Sequence, residues 1–370
     1  MKLTTTIKQQ QGLSLIELLV SMTIALIIMA GVVNTISATK QSYLFDEEVS
    51  YIQENARFAL DTLSREIREA GYTGGCNLEA ADVANSIQTP GYSNFIKMTP
   101  VDGFEGSSAD IFPSQFSANV LPNTDSFIVR RGITDNNLVV NNHNGSSATI
   151  NVTNAHAYRP GTVFMMVNPD CEQIGVFAMS GPTNSGGNAT SINHNTGTAT
   201  VENCTQDLYG PFDCSSGTSS NTSYDNGSTV FQFGATAFYI RNSSYDTAVP
   251  ALYSHNLANG GAFQGNELVS GVEDFEVEYG IDNDVTQDGK ADQYFKANQI
   301  TADNAAPGNG YVAWDRVVTI RIQMVMRSRN QILTANRSVT LLGATYVDRY
   351  IRQLVSSTVQ LRNVALPGNG

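Results

Sequence analysis

The chain has 370 residues, of which 41% are hydrophobic and only 15% are charged. Its formal net charge of −13 would repel nucleic acid and anionic lipid over most of the surface, so direct nucleic-acid binding is not expected. The charged fraction lies below the roughly 25% of an average soluble protein, and Asn, Ser, Thr and Gly make up the difference. This composition is typical of an exported surface protein.

The first twelve residues, MKLTTTIKQQQG, contain two lysines and no carboxylate. An apolar run follows from Leu13 to Val33, and as a helix it would measure about 31 Å, which matches the thickness of the bilayer core. Ordinary signal-peptide cleavage is not expected, because the small-residue sites near Ala30 and Ala38 have isoleucine three positions from the cut. The lysines on the short flank predict a cytoplasmic N-terminus and export of everything after the run.

The helical pattern continues beyond the apolar run. Apolar residues recur every three or four positions and charged residues fill the other faces, which predicts an amphipathic helix. The predicted apolar stripe consists of Phe45, Val49, Ile52, Ala56, Leu60, Leu63, Ile67 and Ala70. Glu48 is assigned to a polar face, and Gly71 ends the pattern. We therefore expect one helix over residues 13–70, membrane-spanning over 13–33 and amphipathic afterwards.

The stretch GLSLIELLV, Gly12 to Val20, resembles the prepilin-peptidase site of type IV pilins and type II secretion pseudopilins. The resemblance implies cleavage after Gly12, N-methylation of Leu13 and a leader of residues 1–12, although the family usually has phenylalanine in place of Leu13. Glu17 then stands at mature position five, where the family's glutamate pairs with the N-terminal amine of a neighbouring subunit. A carboxylate in hydrocarbon is costly unless it is paired, so Glu17 is the predicted docking residue; simple hydration at the interface is the alternative.

Two further regions resemble PilW-type minor pilins. One is YIQENARFALDTLSREIREAGYTGGCN, Tyr51 to Asn77. The other lies near the C-terminus, in VAWDRVVTIRIQMVMRS (Val312 to Ser328) and DRYIRQLVSSTVQLRNVALPG (Asp348 to Gly368). The resemblance implies an α+β fold of the type IV pilin kind, in which the long N-terminal helix packs on an enlarged antiparallel β-sheet domain over residues 71–370.

Short β-rich runs separated by Gly, Asn and Pro turns predict the strands of this domain. The runs are Ser126–Gly132, Thr162–Val167, Gln173–Met179, Phe231–Asn242, Glu273–Ile281 and Val317–Arg327. Apolar and polar residues alternate in the last two, which predicts half-buried antiparallel strands that pack on the helix stripe. Residues 181–229 are polar and nearly free of aliphatic side chains, so they predict exposed loops inserted in the sheet region.

The chain has four cysteines, Cys76, Cys171, Cys204 and Cys214. They form no C-x-x-C pair of the kind that zinc and redox sites use. Behind a membrane segment they predict two disulfides in an oxidising compartment. Three pairings are compatible with the sequence; Cys204 with Cys214 and Cys76 with Cys171 is favoured, and buried free thiols are the alternative.

The acidic stretch DNDVTQDGKADQYF has the spacing of a calcium loop. Positions 1, 3, 5, 7 and 9 of an EF-hand-like pattern are occupied by Asp284, Thr286, Asp288, Lys290 and Asp292. Lys290 would offer its backbone carbonyl, and Phe295 stands where the bidentate glutamate would be. An Asp/Gly-rich turn without an ion is the alternative. Calcium is the one cofactor that the sequence suggests.

The sequence motifs give no support to catalysis. The four histidines, His143, His156, His194 and His255, stand in unrelated polar contexts, and lone histidines of this kind are usually surface residues. No G-x-S-x-G or P-loop motif occurs. The sequence therefore predicts a structural protein and not an enzyme.

The resemblance implies a minor pilin that helps prime type IV pilus assembly near the pilus tip, with indirect roles in adhesion, twitching motility and DNA uptake. The implied partners are other minor pilins, the major pilin, a tip adhesin, the prepilin peptidase and the inner-membrane assembly platform. The chain would span the inner membrane once before assembly and join the extracellular pilus afterwards. The alternatives are a J-type pseudopilin of a type II secretion system and a membrane-anchored ligand-binding or hydrolytic ectodomain.

Overall fold

A computed structural model describes residues 14–76, 81–92, 95–106, 120–183, 187–197, 199–284, 288–300 and 313–364. Gly12, Leu13 and Thr286 lie outside the described residues, as does the rest of the predicted leader. One long helix, α1, spans Leu15–Glu69. Short 3-10 helices lie at Gly145–Ser147, Ala297–Gln299 and Ala313–Arg316.

The described residues form eighteen strands. They are β1 (Asp82–Asn85), β2 (Val101–Phe104), β3 (Ser126–Asn144), β4 (Thr149–His156), β5 (Val163–Val167), β6 (Gln173–Ala178), β7 (Ala189–Asn193), β8 (Phe212–Asp213), β9 (Ser216–Gly217), β10 (Thr229–Asn242), β11 (Pro250–Leu257), β12 (Phe263–Ser270), β13 (Val272–Ile281), β14 (Gln293–Lys296), β15 (Val317–Arg327), β16 (Arg337–Leu341), β17 (Ala344–Asp348) and β18 (Arg352–Gln360). The β-rich runs of the sequence coincide with parts of β3, β5, β6, β10, β13 and β15.

Twelve strands form the larger sheet, in the order β7-β4-β3-β10-β5-β6-β1-β8-β9, with β11 and β12 extending from β10 and β2 paired with β3. Its neighbouring strands are antiparallel, except that β1 runs parallel to β6 and to β8. A smaller antiparallel sheet has the order β14-β13-β15-β18, and β16 pairs with β17. The expected α+β architecture, a long N-terminal helix on a large and mostly antiparallel β domain, is confirmed.

The two halves of α1 have opposite environments. Every residue from 14 to 47 is exposed within the chain. From there on, one face is buried, and its buried residues are Glu48, Ile52, Ala56, Ala59, Leu63 and Ile67. The spacing is that of the predicted stripe, but Phe45 is exposed and Glu48 is buried, so their predicted positions were wrong. Glu48 can be buried because the β domain satisfies its carboxylate with hydrogen bonds.

The buried stripe of α1 packs where the two sheets meet. Ile52, Leu63 and Ile67 lie in one apolar cluster with Phe127 of the larger sheet and Phe275 of the smaller sheet. Phe127 and Phe275 also stack on each other, with ring centres 6.1 Å apart. The helix therefore holds both sheets in a shared core, as the sequence pattern predicted.

The polar segment 181–229 is packed in part, whereas its residues from 211 to 227 are mostly exposed. In its described part, β7 pairs with β4 at one end of the larger sheet, and β8 and β9 form a short hairpin. Four of its apolar side chains are buried in the core: Ile192, Val201, Leu208 and Tyr224. Asn203 is also buried; its Nδ2 donates to the carbonyl of Ala178 and its Oδ1 accepts from the Ala178 N–H, each over 2.7 Å. The expectation of exposed loops was therefore wrong only for the part that carries these buried residues, because paired polar side chains can be buried beside a few apolar anchors.

Two disulfides are present, between Cys76 and Cys171 and between Cys204 and Cys214. The first links the segment that follows α1 to the turn between β5 and β6. The second closes a short loop that ends in the β8–β9 turn. These are the pairings that the sequence favoured.

Candidate functional site

The exposed half of α1 is the first candidate site. It contains the one window of the described residues that is long and apolar enough to cross a membrane, with a mean hydropathy of 2.4 and no residue buried. Leu15 and Ile27, for example, are 78% and 72% exposed. Removing one such side chain from water is worth about 1.5–3 kcal/mol, so lipid or the helices of other proteins must cover this surface.

Glu17 lies in the first turn of this apolar helix and is exposed. The N-terminal end of a helix favours a carboxylate, because its unpaired N–H groups carry partial positive charge. Within the described part of the chain, no basic side chain forms an ion pair with Glu17. Its predicted partner, the amine of Leu13 in a neighbouring subunit, lies outside the described residues, and the docking role stays a prediction.

The packed half of α1 is held at its beginning by polar contacts. Glu48 is 4% exposed and accepts hydrogen bonds from the backbone N–H of Arg329 and from Nδ2 of Asn330, both over 2.7 Å. The guanidinium of Arg329 lies 4.4 Å from the ring centre of Tyr51, whose hydroxyl is bonded to Oγ of Ser270. The sequence pattern placed Glu48 on a polar face and gave it no such role. One feature of the sequence could have indicated it, because Glu48 lies four residues before Ile52, at the spacing of the buried stripe.

The far end of α1 is capped from the C-terminal part of the chain. Nδ2 of Asn363 lies 3.4, 3.2 and 3.3 Å from the carbonyl oxygens of Arg68, Glu69 and Ala70, to which it donates. A helix leaves its last carbonyls without partners, so this amide satisfies groups that would otherwise depend on water. Asn363 lies in DRYIRQLVSSTVQLRNVALPG, a stretch that carried the family resemblance but received no role from the sequence.

The predicted calcium loop brings together a different set of carboxylates. Oxygens of Asp282, Asp284 and Asp292 lie within 4.8 Å of one another, whereas Asp288 binds Nζ of Lys290 over 2.6 Å. Repulsion by Asp292 is the main cause of the raised pKa of Asp284. The sequence pattern missed Asp282, which is fully buried, because Asp282 precedes the first position of the EF-hand-like spacing.

This donor set fits a cation only in part. Both carboxylate oxygens of Asp282 already accept backbone N–H groups, from Asp284 over 3.2 Å and from Gly289 over 2.8 Å. Such bonds are those of an Asp/Gly-rich turn and hold the loop without an ion. The side chains of Asp284 and Asp292 add the negative charge that a calcium ion would neutralise. Calcium binding therefore stays a prediction, centred on these two carboxylates.

The histidines are not surface residues, contrary to expectation. His143, His156 and His194 are buried, and His255 is half-buried. Nε2 of His143 lies 3.0 Å from Nε2 of His194, and Nδ1 of His143 accepts the N–H of Tyr224 over 2.8 Å. In the neutral ring, Nε2 of His143 must then carry the hydrogen atom, and it donates a hydrogen bond to Nε2 of His194. Burial lowers the pKa of His143 to about 4 and that of His194 to about 3, so both rings are neutral at pH 7.

Two family profiles match the chain. The prokaryotic N-terminal methylation motif covers residues 7–33. The profile described as Type IV Pilus-assembly protein W covers residues 237–363, from within β10 to the residue that caps α1. No similar curated protein and no similar solved structure was found.

The methylation motif, the membrane-length helix and the β domain packed on its second half fit a membrane-anchored protein of the type IV pilin class. The chain is similar to PilW proteins, because the match to the PilW profile takes in eight complete strands of the β domain, including all four of the smaller sheet, together with the helix cap. These two findings confirm the resemblance seen in the sequence. They also point to a structural protein rather than an enzyme.

Proposed function

We propose that the chain is a minor pilin, a structural subunit that helps prime assembly of the type IV pilus near its tip. The observation that carries the proposal is the exposed apolar half of α1 behind a methylation motif. Such a helix needs two environments in succession. Lipid covers it before assembly, and the helices of other pilins cover it in the filament.

Cleavage after Gly12 gives the subunit a new N-terminal amine at Leu13, which the same peptidase methylates. This amine and Glu17 are the charges by which neighbouring subunits recognise each other. Both lie in surroundings from which hydrocarbon excludes water, and attraction between opposite charges is several times stronger there than in solvent. The prepilin peptidase and the inner-membrane assembly platform are the partners for these steps.

The size of the β domain supports a place near the tip. One helix carries a twelve-stranded and a four-stranded sheet. A domain of this size is more easily accommodated at the end of a filament, where no subunit lies above it, than between closely stacked subunits. At that place its partners are other minor pilins, the major pilin and a tip adhesin. Effects on adhesion, twitching motility and DNA uptake then follow indirectly from the number of pili.

Deletion and complementation test this function. Deleting the gene is expected to reduce the number of surface pili and to leave the amount of secreted enzymes unchanged. Expression of the wild-type chain is expected to restore the pili. Glu17→Ala should be processed and inserted but should restore few pili, whereas the matched variant Glu47→Ala, at an exposed position of the same helix, should restore them fully. Normal pili with lost secretion would instead indicate a type II pseudopilin. No effect on either would indicate an anchored ectodomain with another role.

A further inference from the structure

A groove lies at the end of α1, beside the larger sheet. Its volume is about 940 Å³, and three separate stretches of the chain contribute four arginines to its lining: Arg65, Arg68, Arg131 and Arg362. Tyr72 and Ile133 add apolar surface to the lining. We call this feature the arginine groove. Its basic lining is opposite in sign to the net charge of −13 of the whole chain.

The described residues neutralise only one of these arginines. Arg131 forms ion pairs with Glu66 and Glu69, with nitrogen–oxygen distances of 2.5 and 3.2 Å. The other three arginines are exposed, and none of them has an ion-pair partner among the residues that the structure describes. Four guanidinium groups thus stand against two carboxylates, so the groove keeps a net positive charge, and three of its arginines are free of ion pairs within the described residues.

The backbone that carries these arginines is well fixed. Arg65 and Arg68 belong to the last turns of α1, whose buried stripe is in the shared core. Arg362 directly precedes Asn363, whose amide is bonded to the last carbonyls of the same helix. Because the backbone positions of the three arginines are fixed before any ligand arrives, a ligand that bridges them has only their side chains to order.

The position of the groove limits which kinds of anionic ligand can bind there. From the end of the predicted membrane span, Val33, to Glu69 at the groove, α1 rises about 54 Å at 1.5 Å per residue. Electrostatic attraction is screened over about 8 Å at physiological salt, so lipid headgroups are out of reach. A long nucleic acid would meet the negative field of the rest of the protein. A short acidic protein segment would meet mainly the arginines, which outnumber the one carboxylate of the lining, Glu69, by four to one.

We propose that the arginine groove binds an acidic segment of a partner protein. Guanidinium groups bind carboxylates through two parallel hydrogen bonds, in bidentate geometry. Tyr72 and Ile133 offer an apolar contact for one side chain of the segment. The inference rests on the proposed function only in one respect, which is that the partner would be another pilus component. The binding itself does not depend on a pilus.

Peptide binding to the detergent-solubilised full chain tests the proposal. The probe is fluorescein-labelled hexaglutamate, and its binding is followed by fluorescence anisotropy at several salt concentrations. The groove variant replaces its three unpaired arginines: Arg65→Gln, Arg68→Gln and Arg362→Gln. The matched control makes the same charge change at three exposed arginines that do not line the groove: Arg57→Gln, Arg159→Gln and Arg337→Gln. Melting curves establish that both variants fold.

The wild-type chain is expected to bind the peptide, and added salt should weaken the binding. The groove variant should lose about tenfold in affinity and the control less than about twofold, since each exposed charge pair contributes a modest amount. Equal affinity of the groove variant and the wild type would overturn the proposal, as would failure of the wild type to bind. Displacement of the probe by a hexanucleotide or by glycerol phosphate at lower concentration than by unlabelled hexaglutamate would also overturn it.

The two proposals can fail separately. Peptide binding at the groove, together with normal pili in the deletion strain, would keep the groove and reject the pilus role. Lost pili in the deletion strain, together with no peptide binding, would keep the pilus role and reject the groove.

Discussion

Glu48 accepts a hydrogen bond from Nδ2 of Asn330 over 2.7 Å, although the two residues are 282 positions apart. This contact marks the point on α1 where the exposed half ends and the packed half begins. The second carboxylate oxygen accepts the N–H of Arg329. One buried acid thus fixes where the β domain is attached along the helix, and so how far the domain stands from the membrane.

Replacing Glu48 should loosen this attachment. Glu48→Ala removes the acceptor of two hydrogen bonds and is expected to lower the free energy of unfolding by about 1.5–3 kcal/mol, the usual range for bonds to a charged group. Glu48→Gln keeps one acceptor oxygen and should lower it less. Urea unfolding of the detergent-solubilised chain measures the change through the fluorescence of Trp314, the single tryptophan, which packs on Tyr279. Glu47→Ala, at the adjacent exposed position, should have no effect; equal losses in both variants would contradict the assigned role.

The two disulfides should differ in what they contribute. Cys76 and Cys171 are 95 positions apart and Cys204 and Cys214 only 10, and closing a longer loop removes more conformational entropy from the unfolded chain. Replacing both cysteines of the long loop by alanine should lower the free energy of unfolding by about 4–5 kcal/mol, against about 2.5–3 kcal/mol for the short loop. Each double variant is the control for the other. A larger loss from the short loop would contradict this order.

The histidine pair should make stability depend on pH. The pKa of His143 is lowered to about 4 and that of His194 to about 3, whereas an unfolded histidine has a pKa near 6.5. Below about pH 6.5 the unfolded chain therefore takes up protons that the folded chain does not. The stabilisation is complete above pH 6.5, and it falls by about 1.4 kcal/mol per pH unit for each ring until the folded pKa is reached.

Replacing one of the two rings tests this dependence. His143→Gln should reduce the slope of unfolding free energy against pH by about 1.4 kcal/mol per unit between pH 6 and 4.5. Denaturation curves at three or four pH values give the slope. Asn195→Ala, an exposed change next to His194, should leave it as in the wild type. An unchanged slope in His143→Gln would show that the ring is protonated in the folded chain.

Calcium should stabilise the chain through the acidic loop. Asp284 and Asp292 repel each other, which raises the pKa of Asp284, and a divalent cation would relieve that repulsion. Millimolar calcium is expected to raise the melting temperature by about 2–4 °C, corresponding to a binding contribution near 1 kcal/mol. Asp284→Asn should abolish the rise, and Asp288→Asn, whose carboxylate is paired with Lys290, should keep it. Identical melting temperatures in calcium and in chelator would favour the turn without an ion.

The elements that could be predicted from sequence are those whose signal is local. The long helix follows from an apolar run and a 3.6-residue period, and β13 and β15 follow from alternation along eleven or fewer residues. By contrast, β11 and β12 mix polar and apolar residues without a clear period, and their pairing with each other and with β10 gives them their structure. The residues of one strand do not reveal which other strand it pairs with.

The residues whose roles the sequence missed act through distant contacts. Asn363 caps a helix that ends 294 residues earlier. Glu48 can be buried because Nδ2 of Asn330 and the Arg329 N–H donate hydrogen bonds to its carboxylate. His194 belongs to a polar segment that its composition assigned to exposed loops, yet Asn203 and other paired groups allow part of that segment to pack. In each case the fold brings the partner into contact from a distant part of the chain. Composition and local pattern do not reveal such a partner.

The central claim is that the chain is processed as a prepilin and enters a filament. Mass spectrometry of the N-terminal peptide, from the chain recovered in sheared pili and in membranes, tests it most directly. The account predicts a mature chain that begins with N-methylated Leu13, and a Gly12→Asp variant that stays unprocessed and absent from pili. A wild-type chain that still begins at Met1 in both fractions would contradict it.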